Sequence, residues 1–573
     1  MTDTLGAIAV RRLLRPSLLV FLLYLVLSFL LFSQTWLAPA TRLVYGEADV
    51  REVTWFMGWT PYALAHLQTP LFSTHIDYPT GVNLMWNTAL TVPALVLWPL
   101  TWAFGPEVST NAAITLALAV SAWAAYLAAR RYVRSRLAAV VAGLVYGFSP
   151  LMMSQSPGHI HMTIAFFPPL VLLAFDEILV RRRYPSALIG AGLGLAGAAQ
   201  LLIGEEVLAL TAIVVAIGLV VLAVLFRPLV TSRLRDLGLA VAAGAVVFAV
   251  LAIYPLWVQL FGPERVVGVL PDPYANNVLA FLVPTRWQAL DVAPGLVHLF
   301  AGRNIMEEGG AYVGVPLLIL LLAVMVAFWS KGIVRLASIL AIVAAILSMG
   351  SHLQVGGRHT RIPLPWIVLE HSPLLKNIAP PRFMLFSYLM IAILIAIFVD
   401  WALSRPGANQ RSAWVAIAVL ALVPLLPSVP YPTDAAVTPS FFLGGAVRRI
   451  PAGGVVLVAP FSRSFTSEAM MWQSGAGMSF RMPEGYAYRP GPTGPTRDPP
   501  PSALQTRMYS IYYDLPRSAL SSDELQQMRS DLAGMGAGTI VVGPEPREQE
   551  MVDLFTELLS RAPEQTGGVS VWW

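Results

Sequence analysis

Two carboxylates, two residues apart, make the most chemically suggestive stretch of the chain: Glu47 and Asp49 in Tyr45-Gly46-Glu47-Ala48-Asp49-Val50-Arg51-Glu52. An acidic-x-acidic pair can bind a cation, or one carboxylate can act as base while the other orients it. The bland alternative is a solvated pair bonded to Arg51. A second stretch, Lys376-Asn377-Ile378-Ala379-Pro380-Pro381-Arg382-Phe383, sets two cations astride a rigid Pro-Pro where an apolar helix begins. Lys331 and Lys376 are the chain's only lysines, so the pairing stands out. It suits a lipid phosphate, and an arginine snorkelling to headgroups is the equal alternative.

Lesser candidates each carry a plain structural reading beside the functional one. Glu205-Glu206 sits at a helix junction, where it can assist acceptor binding or stop a hairpin from sinking into lipid. His159-Ile160-His161 offers two imidazoles to a metal, although His-x-His in a loop is more often structural. Glu307-Glu308 precedes a helix and favours its N-terminus electrostatically. Asp77 and Asn83 flank a Pro-Thr-Gly turn and either line a sugar site or form the turn. Trp86 stacks on a sugar face or anchors the interface. Metal dependence stays open, with magnesium or manganese at the acidic pair as the option and no cofactor required.

What must position these residues is a membrane body. Of 573 residues, 56% are hydrophobic and 12% charged, which excludes an ordinary water-soluble enzyme. The net charge of +5 is spread through short turns, not gathered in a nucleic-acid-binding patch, and the lack of cysteine removes disulfides, thiolate metal sites and cysteine nucleophiles. The first apolar run, Leu13 to Trp36, is long enough to cross ~30 Å of hydrocarbon and reads as a span, not a signal peptide. Further runs lie near 109–128, 137–152, 162–180, 186–203, 207–226, 237–258, 311–329, 333–349, 383–402 and 412–428, about eleven spans in all. Ala89 to Phe104, interrupted by Pro93 and Pro99, is read as re-entrant or interfacial. The turns bearing Arg130 to Arg136, Arg181 to Arg183, Arg227 to Arg235, Lys331 and Arg335, and Arg405 and Arg411 then share the side of the N-terminal arginines. By the positive-inside rule that side is cytoplasmic. The opposite face receives the long segments 38–108, 259–310 and 350–382, and also the tail.

The expected fold class is therefore mainly α: a polytopic helical bundle over 1–430, with an extracytoplasmic α/β domain over 431–573. In the tail, Val455 to Ala459, Thr539 to Val542 and Val569 to Trp572 read as short buried strands. Ser521-x-x-Glu524 is a capping box opening a helix that turns Leu525, Met528 and Leu532 inward, and a second helix over 547–560 presents Met551, Leu554, Phe555 and Leu558. No P-loop, GxSxG or HExxH motif occurs in the tail, so its expected role is recognition or scaffolding.

The acidic motif in the first outer loop, the aromatic stretch Trp55, Phe56, Trp59 and Tyr62 suited to the membrane interface, the many spans and the outer C-terminal domain together resemble the GT-C superfamily of polyprenyl-phosphate-sugar glycosyltransferases. The resemblance implies that Glu47 or Asp49 is the catalytic base, that transfer is an inverting single displacement onto a glycan, lipid or protein acceptor, and that Lys376 and Arg382 hold the donor phosphate in one cavity with the acidic pair. It places the protein in the inner (plasma) membrane and leaves sugar identity and oligomeric state open. The rival class is a lipid or glycolipid transporter. The apolar runs carry no ionisable residue at their midpoints, since Asp176, Glu177 and Asp400 fall near the ends, which weighs against ion coupling.

Overall fold

The computed structural model describes residues 2–266, 275–290, 309–356, 358–372, 375, 377–463, 466–491 and 494–573, with side chains from residue 16 onward. The chain divides into two compact units, each assembled from three stretches: Met1–Gln34, Ile114–Ala252 and Pro271–Tyr431 in the first, and Thr35–Ala113, Ile253–Leu270 and Pro432–Trp573 in the second.

Helices dominate. Among the described residues, seven are long and apolar enough to cross a membrane: Pro106–Ala129, Arg136–Gln155, Ile160–Arg181, Glu205–Leu225, Leu234–Phe261, Pro380–Leu403 and Ala408–Leu425. Four shorter apolar helices accompany them: Pro16–Leu31, Ser186–Leu201, Val315–Ala327 and Gly332–Leu347. The chain is a multi-pass membrane protein. The proline-bearing segment forms two short helices, Thr91–Val96 and Trp98–Phe104, each only about 10 Å long at 1.5 Å per residue and so unable to cross.

In the first unit the helix Met384–Leu403 is apolar on every side, and almost all of its residues are buried by protein. It packs against Arg136–Gly147, Gly332–Leu347, Val315–Ala327 and Ala408–Leu422. Where Ser186–Leu201 meets Leu234–Phe261, a Cβ on Gly194 would lie 2.3 Å from the carbonyl oxygen of Gly244, so only a glycine permits the contact. One set of helix ends carries the arginine-rich turns together with their acidic partners. Asp400 Oδ1 accepts from the backbone N–H groups of Arg134 and Ser135 (3.1 and 2.6 Å), Arg181 Nε lies 2.7 Å from Asp176, and Arg131 pairs with Glu177 at 3.4 Å. These three acids thus sit at helix ends, where their positions in the sequence put them.

The second unit is built on a four-stranded sheet in the order 564–566, 569–572, 539–542, 456–459, whose last two strands run parallel and the rest antiparallel. Alternate residues face opposite sides, as a strand's period of two requires. Val456, Val458, Val541, Val569 and Val571 face a core completed by Trp55, Phe56 and Trp59 of the helix Glu47–Ala65. Leu457, Ile540, Val542 and Trp572 face the helices Ala503–Tyr512, Ser522–Gly534 and Glu548–Leu559. The Ser521/Glu524 capping box closes from both sides, Glu524 N–H donating to Ser521 Oγ at 3.2 Å and Ser521 N–H to Glu524 Oε2 at 2.9 Å.

One expectation is overturned here. The aromatic stretch assigned to the membrane interface is protein core: Trp55, Phe56 and Trp59 are at most 1% exposed. An amphipathic aromatic face fits lipid or protein equally well, and the sheet's apolar face supplies the protein.

Candidate active site

Glu47 and Asp49 stand in the first turn of the helix Glu47–Ala65. The paired strands 42–44 and 433–435 bring Asp434 to that helix's start, where its Oδ2 accepts from the N–H groups of Gly46 (2.9 Å) and Glu47 (2.7 Å). A carboxylate there satisfies orphan donors and complements the helix dipole. Glu47 has a left-handed φ of 47°, a conformation costly for a residue with a side chain and typical of functional turns. Farther along, a Cβ on Gly58 would lie 2.0 Å from Ser474 Oγ, so this glycine lets the helix Glu468–Gly475 lie flush against it. Trp55 Nε1 donates to Gln473 Oε1 at 2.6 Å across that contact.

Three residues after Asp49 the helix brings Glu52 onto the same face. Arg497 bridges the two carboxylates, Nη1 to Asp49 Oδ1 and Nη2 to Glu52 Oε2, both at 3.2 Å. Tyr486 OH donates to Asp49 Oδ1 at 2.8 Å, and the guanidinium lies 4.5 and 4.2 Å from the ring centres of Tyr486 and Tyr488. Burial differs sharply within the cluster: the Asp49 side chain is 31% exposed and that of Glu52 5%. Burial pushes the Glu52 carboxyl up to about 8 against the pull of Arg497, with Asp49 adding to the rise. Burial opposes the charge on Arg497, but Glu52, Tyr486 and Asp49 outweigh it and raise its pKa. The arrangement is one locked cation, one buried carboxyl that holds its proton near neutrality, and one partly open carboxylate oriented by a tyrosine and an arginine. That is the environment of a positioned base. Glu47 is exposed, and its Oε1 accepts from Tyr45 OH at 3.0 Å.

A second acidic cluster in the same unit surrounds Asp77, also left-handed at φ 49°. Arg489 Nη1 donates to Asp77 Oδ1 at 2.6 Å, and Gln505 donates to Glu484. Burial raises both carboxyl groups and Arg489 opposes both, while Glu264 adds to the rise of Asp77 and Asp77 to that of Glu484. Asn83 is 1% exposed, and its amide serves the backbone: Nδ2 donates to the carbonyls of Val258 (2.8 Å) and Pro263 (3.0 Å), and Oδ1 accepts from Met85 N–H. Trp86 Nε1 donates to the Gln259 carbonyl at 2.8 Å.

In the first unit Glu206 gathers the remaining candidates. Arg382 donates to its Oε2, Ala379 N–H to its Oε1 at 3.1 Å, and His161 Nε2 lies 3.9 Å from Oε2. The rings of His159 and His161 are 5.9 Å apart. Glu205 opens the same helix beside Glu206. Lys376, Glu307 and Glu308 lie outside the described residues.

Among the described residues, no three His, Asp or Glu side chains are gathered as a metal would need. A guanidinium stands 3.2 Å from both Asp49 and Glu52.

Residues 21–426 match the family described as Domain of unknown function (DUF6311). The chain belongs to that family. No curated protein matches it. Among solved structures, arabinofuranosyltransferase AftD from Mycobacteria aligns with 93% of this chain and 35% of its own, at 14% identity and a TM-score of 0.54. The archaeal oligosaccharyltransferase AglB from Archaeoglobus fulgidus, in complex with an inhibitory peptide and a dolichol-phosphate, aligns with 95% of this chain and 71% of its own, at 11% identity and a TM-score of 0.49. The chain spans about a third of the length of AftD. Both proteins are GT-C superfamily members, and the likeness to AftD gives this DUF6311 chain a GT-C fold.

Glu52, Arg497 and Tyr486 were not among the residues singled out from sequence. Glu52 carried a signal, because a helix opening at Glu47 places positions 49 and 52 on one face. Arg497 and Tyr486 carried none: both lie in Pro- and Gly-rich segments that read as turns, more than 430 residues from Asp49.

Proposed function

We propose that the protein is a membrane glycosyltransferase moving a pentose or hexose from a polyprenyl-phosphate donor to an extracytoplasmic glycan, lipid or protein acceptor, with Asp49 as the base. The carrying observation is Asp49 itself, a partly open carboxylate at the head of a core helix, oriented by Tyr486 and Arg497. The fold shared with AftD supports the reaction class. In the reaction the acceptor hydroxyl oxygen bonds to the anomeric carbon while the bond from that carbon to the donor phosphate oxygen breaks. The hydroxyl proton passes to Asp49, and the phosphate leaves with the electron pair. Configuration inverts in this single displacement. Lys376 holds the departing phosphate, Arg382 being engaged by Glu206, and no step runs through a metal. All seven long and four shorter apolar helices cross the bilayer, with the arginine turns in the cytoplasm. Glu52 and Arg497 are positioning residues that keep Asp49 aimed.

The test is transfer from a panel of polyprenyl-phosphate pentoses and hexoses in membranes carrying the full chain. Asp49→Asn abolishes the signal with the fold intact. Full transfer by the double variant Glu47→Gln, Asp49→Asn would overturn the assignment.

A further inference from the structure

The first unit contains an open apolar furrow that the transfer reaction leaves unexplained. It runs along the helices rather than across them. Thr211 and Phe386 line one end, Val214 the middle, and Phe175, Leu222 and Leu336 the other end. From Thr211 to Leu222 the helix advances about 16 Å at 1.5 Å per residue, so the furrow has the length and direction of a lipid chain lying in its own leaflet.

The two ends differ in charge, and that decides the occupant. At the Thr211 and Phe386 end the nearby cation, Arg382, is paired with Glu206. At the Leu336 end stands Arg335, whose guanidinium lies 5.0 Å from the ring centre of Phe226 and whose buried Nε has no hydrogen-bond partner. One turn earlier Lys331 lies over Phe328, its ammonium 4.8 Å from the ring centre. Among the described residues, neither cation is paired with an acid. The acids of this end are engaged elsewhere: Asp176 and Glu177 with Arg181 and Arg131, Asp236 with Arg182, and Asp400 with the backbone N–H groups of Arg134 and Ser135. An aromatic face holds a guanidinium in place but leaves its N–H groups without an anion. We propose that this furrow is a binding site for an anionic phospholipid of the leaflet at the basic-turn end, with one acyl chain between Val214 and Leu340 and its phosphate on Arg335 and Lys331. The chemistry calls for a hydrocarbon chain and a phosphate carried on one molecule, as a glycerol backbone carries both in a phospholipid. Its occupancy does not depend on the transferase reading.

The test uses the purified full-length chain in detergent, with phosphatidylglycerol and phosphatidylcholine of identical acyl chains as probes. Native mass spectrometry counts the lipids retained. The expected result is retention of phosphatidylglycerol over phosphatidylcholine, with affinity reduced roughly fivefold in Arg335→Gln. Leu340→Trp, which fills the furrow, removes retention. Should that variant fail to fold, phosphatidylglycerol bearing a photoreactive acyl chain is applied to the wild-type protein and labels Val214, Leu336 or Leu340. Equal retention of both lipids, unchanged affinity in Arg335→Gln, or labels confined to other helices overturns the proposal. So does labelling of the furrow by a polyprenyl phosphate in place of phosphatidylglycerol.

Discussion

Two clusters in this protein each pair glutamate or aspartate with arginine at the head of a helix, yet they are built for different ends. Around Glu206 the carboxylate is filled: Arg382 and the N–H of Ala379 both donate to it, and His161 stands close by. Around Asp49 one guanidinium is divided between two carboxylates, and the one it orients stays 31% exposed. A carboxylate filled by donors is a clasp joining loop to helix. One that is held from behind and open in front can still take a proton. The difference lies in exposure, 31% for the Asp49 side chain against 14% for that of Glu206, not in residue type.

The comparison breaks most visibly at Asp49. Asp49→Asn lowers transfer by about 10²–10⁴-fold, measured as labelled sugar moved per unit of membrane protein, whereas Glu47→Gln changes it by less than about threefold. Equal losses from the two would return the base to the pair as a whole. Arg497→Gln takes the shared donor from Asp49 and the buried Glu52 and costs about 1–3 kcal/mol, read from denaturant or thermal unfolding of the solubilised chain. An unchanged midpoint would mean that water already screens the bridge. Glu52→Gln acts through pH. Because folding raises this carboxyl from 4.5 to about 8, the folded protein keeps a proton that the unfolded chain loses across that window. Its contribution to stability is full below about pH 4.5 and lost as pH rises to about 8. The variant therefore flattens the slope of melting temperature against pH by the equivalent of ~2–4 kcal/mol over that range, and an unaltered slope would place the titration elsewhere. Last, Glu206→Gln weakens the clasp by about 1–3 kcal/mol, with a lower melting temperature as the readout. A transfer loss as large as that of Asp49→Asn would show that the clasp also takes part in chemistry.

The apolar runs were legible because crossing length and uniform hydrophobicity are local properties, and seven appear as helices of spanning length. The capping box at Ser521 and the strands Thr539–Val542 and Val569–Trp572 were legible for the same reason, since a cap spans three residues and a strand's apolar run only a few. The helix of Trp55 and Trp59 was misassigned because its apolar face does not specify whether lipid or a sheet covers it. Asn83 was read as lining a sugar site or forming the turn, and its bracing of the backbone was not legible because its partners, Val258 and Pro263, lie 175 and 180 residues away.

Sequence by itself determined the membrane body, the amphipathic stretch that follows Asp49 and the acidic pair as a place where chemistry is possible. Those rest on composition, periodicity and caps, which act over a few residues. Tertiary structure alone decided which carboxylate is open and which is clasped, because the deciding partners, Arg497 for Asp49 and Arg382 for Glu206, arrive from 448 and 176 residues away. Electrostatic partnership depends on distance in space, and no local pattern records it.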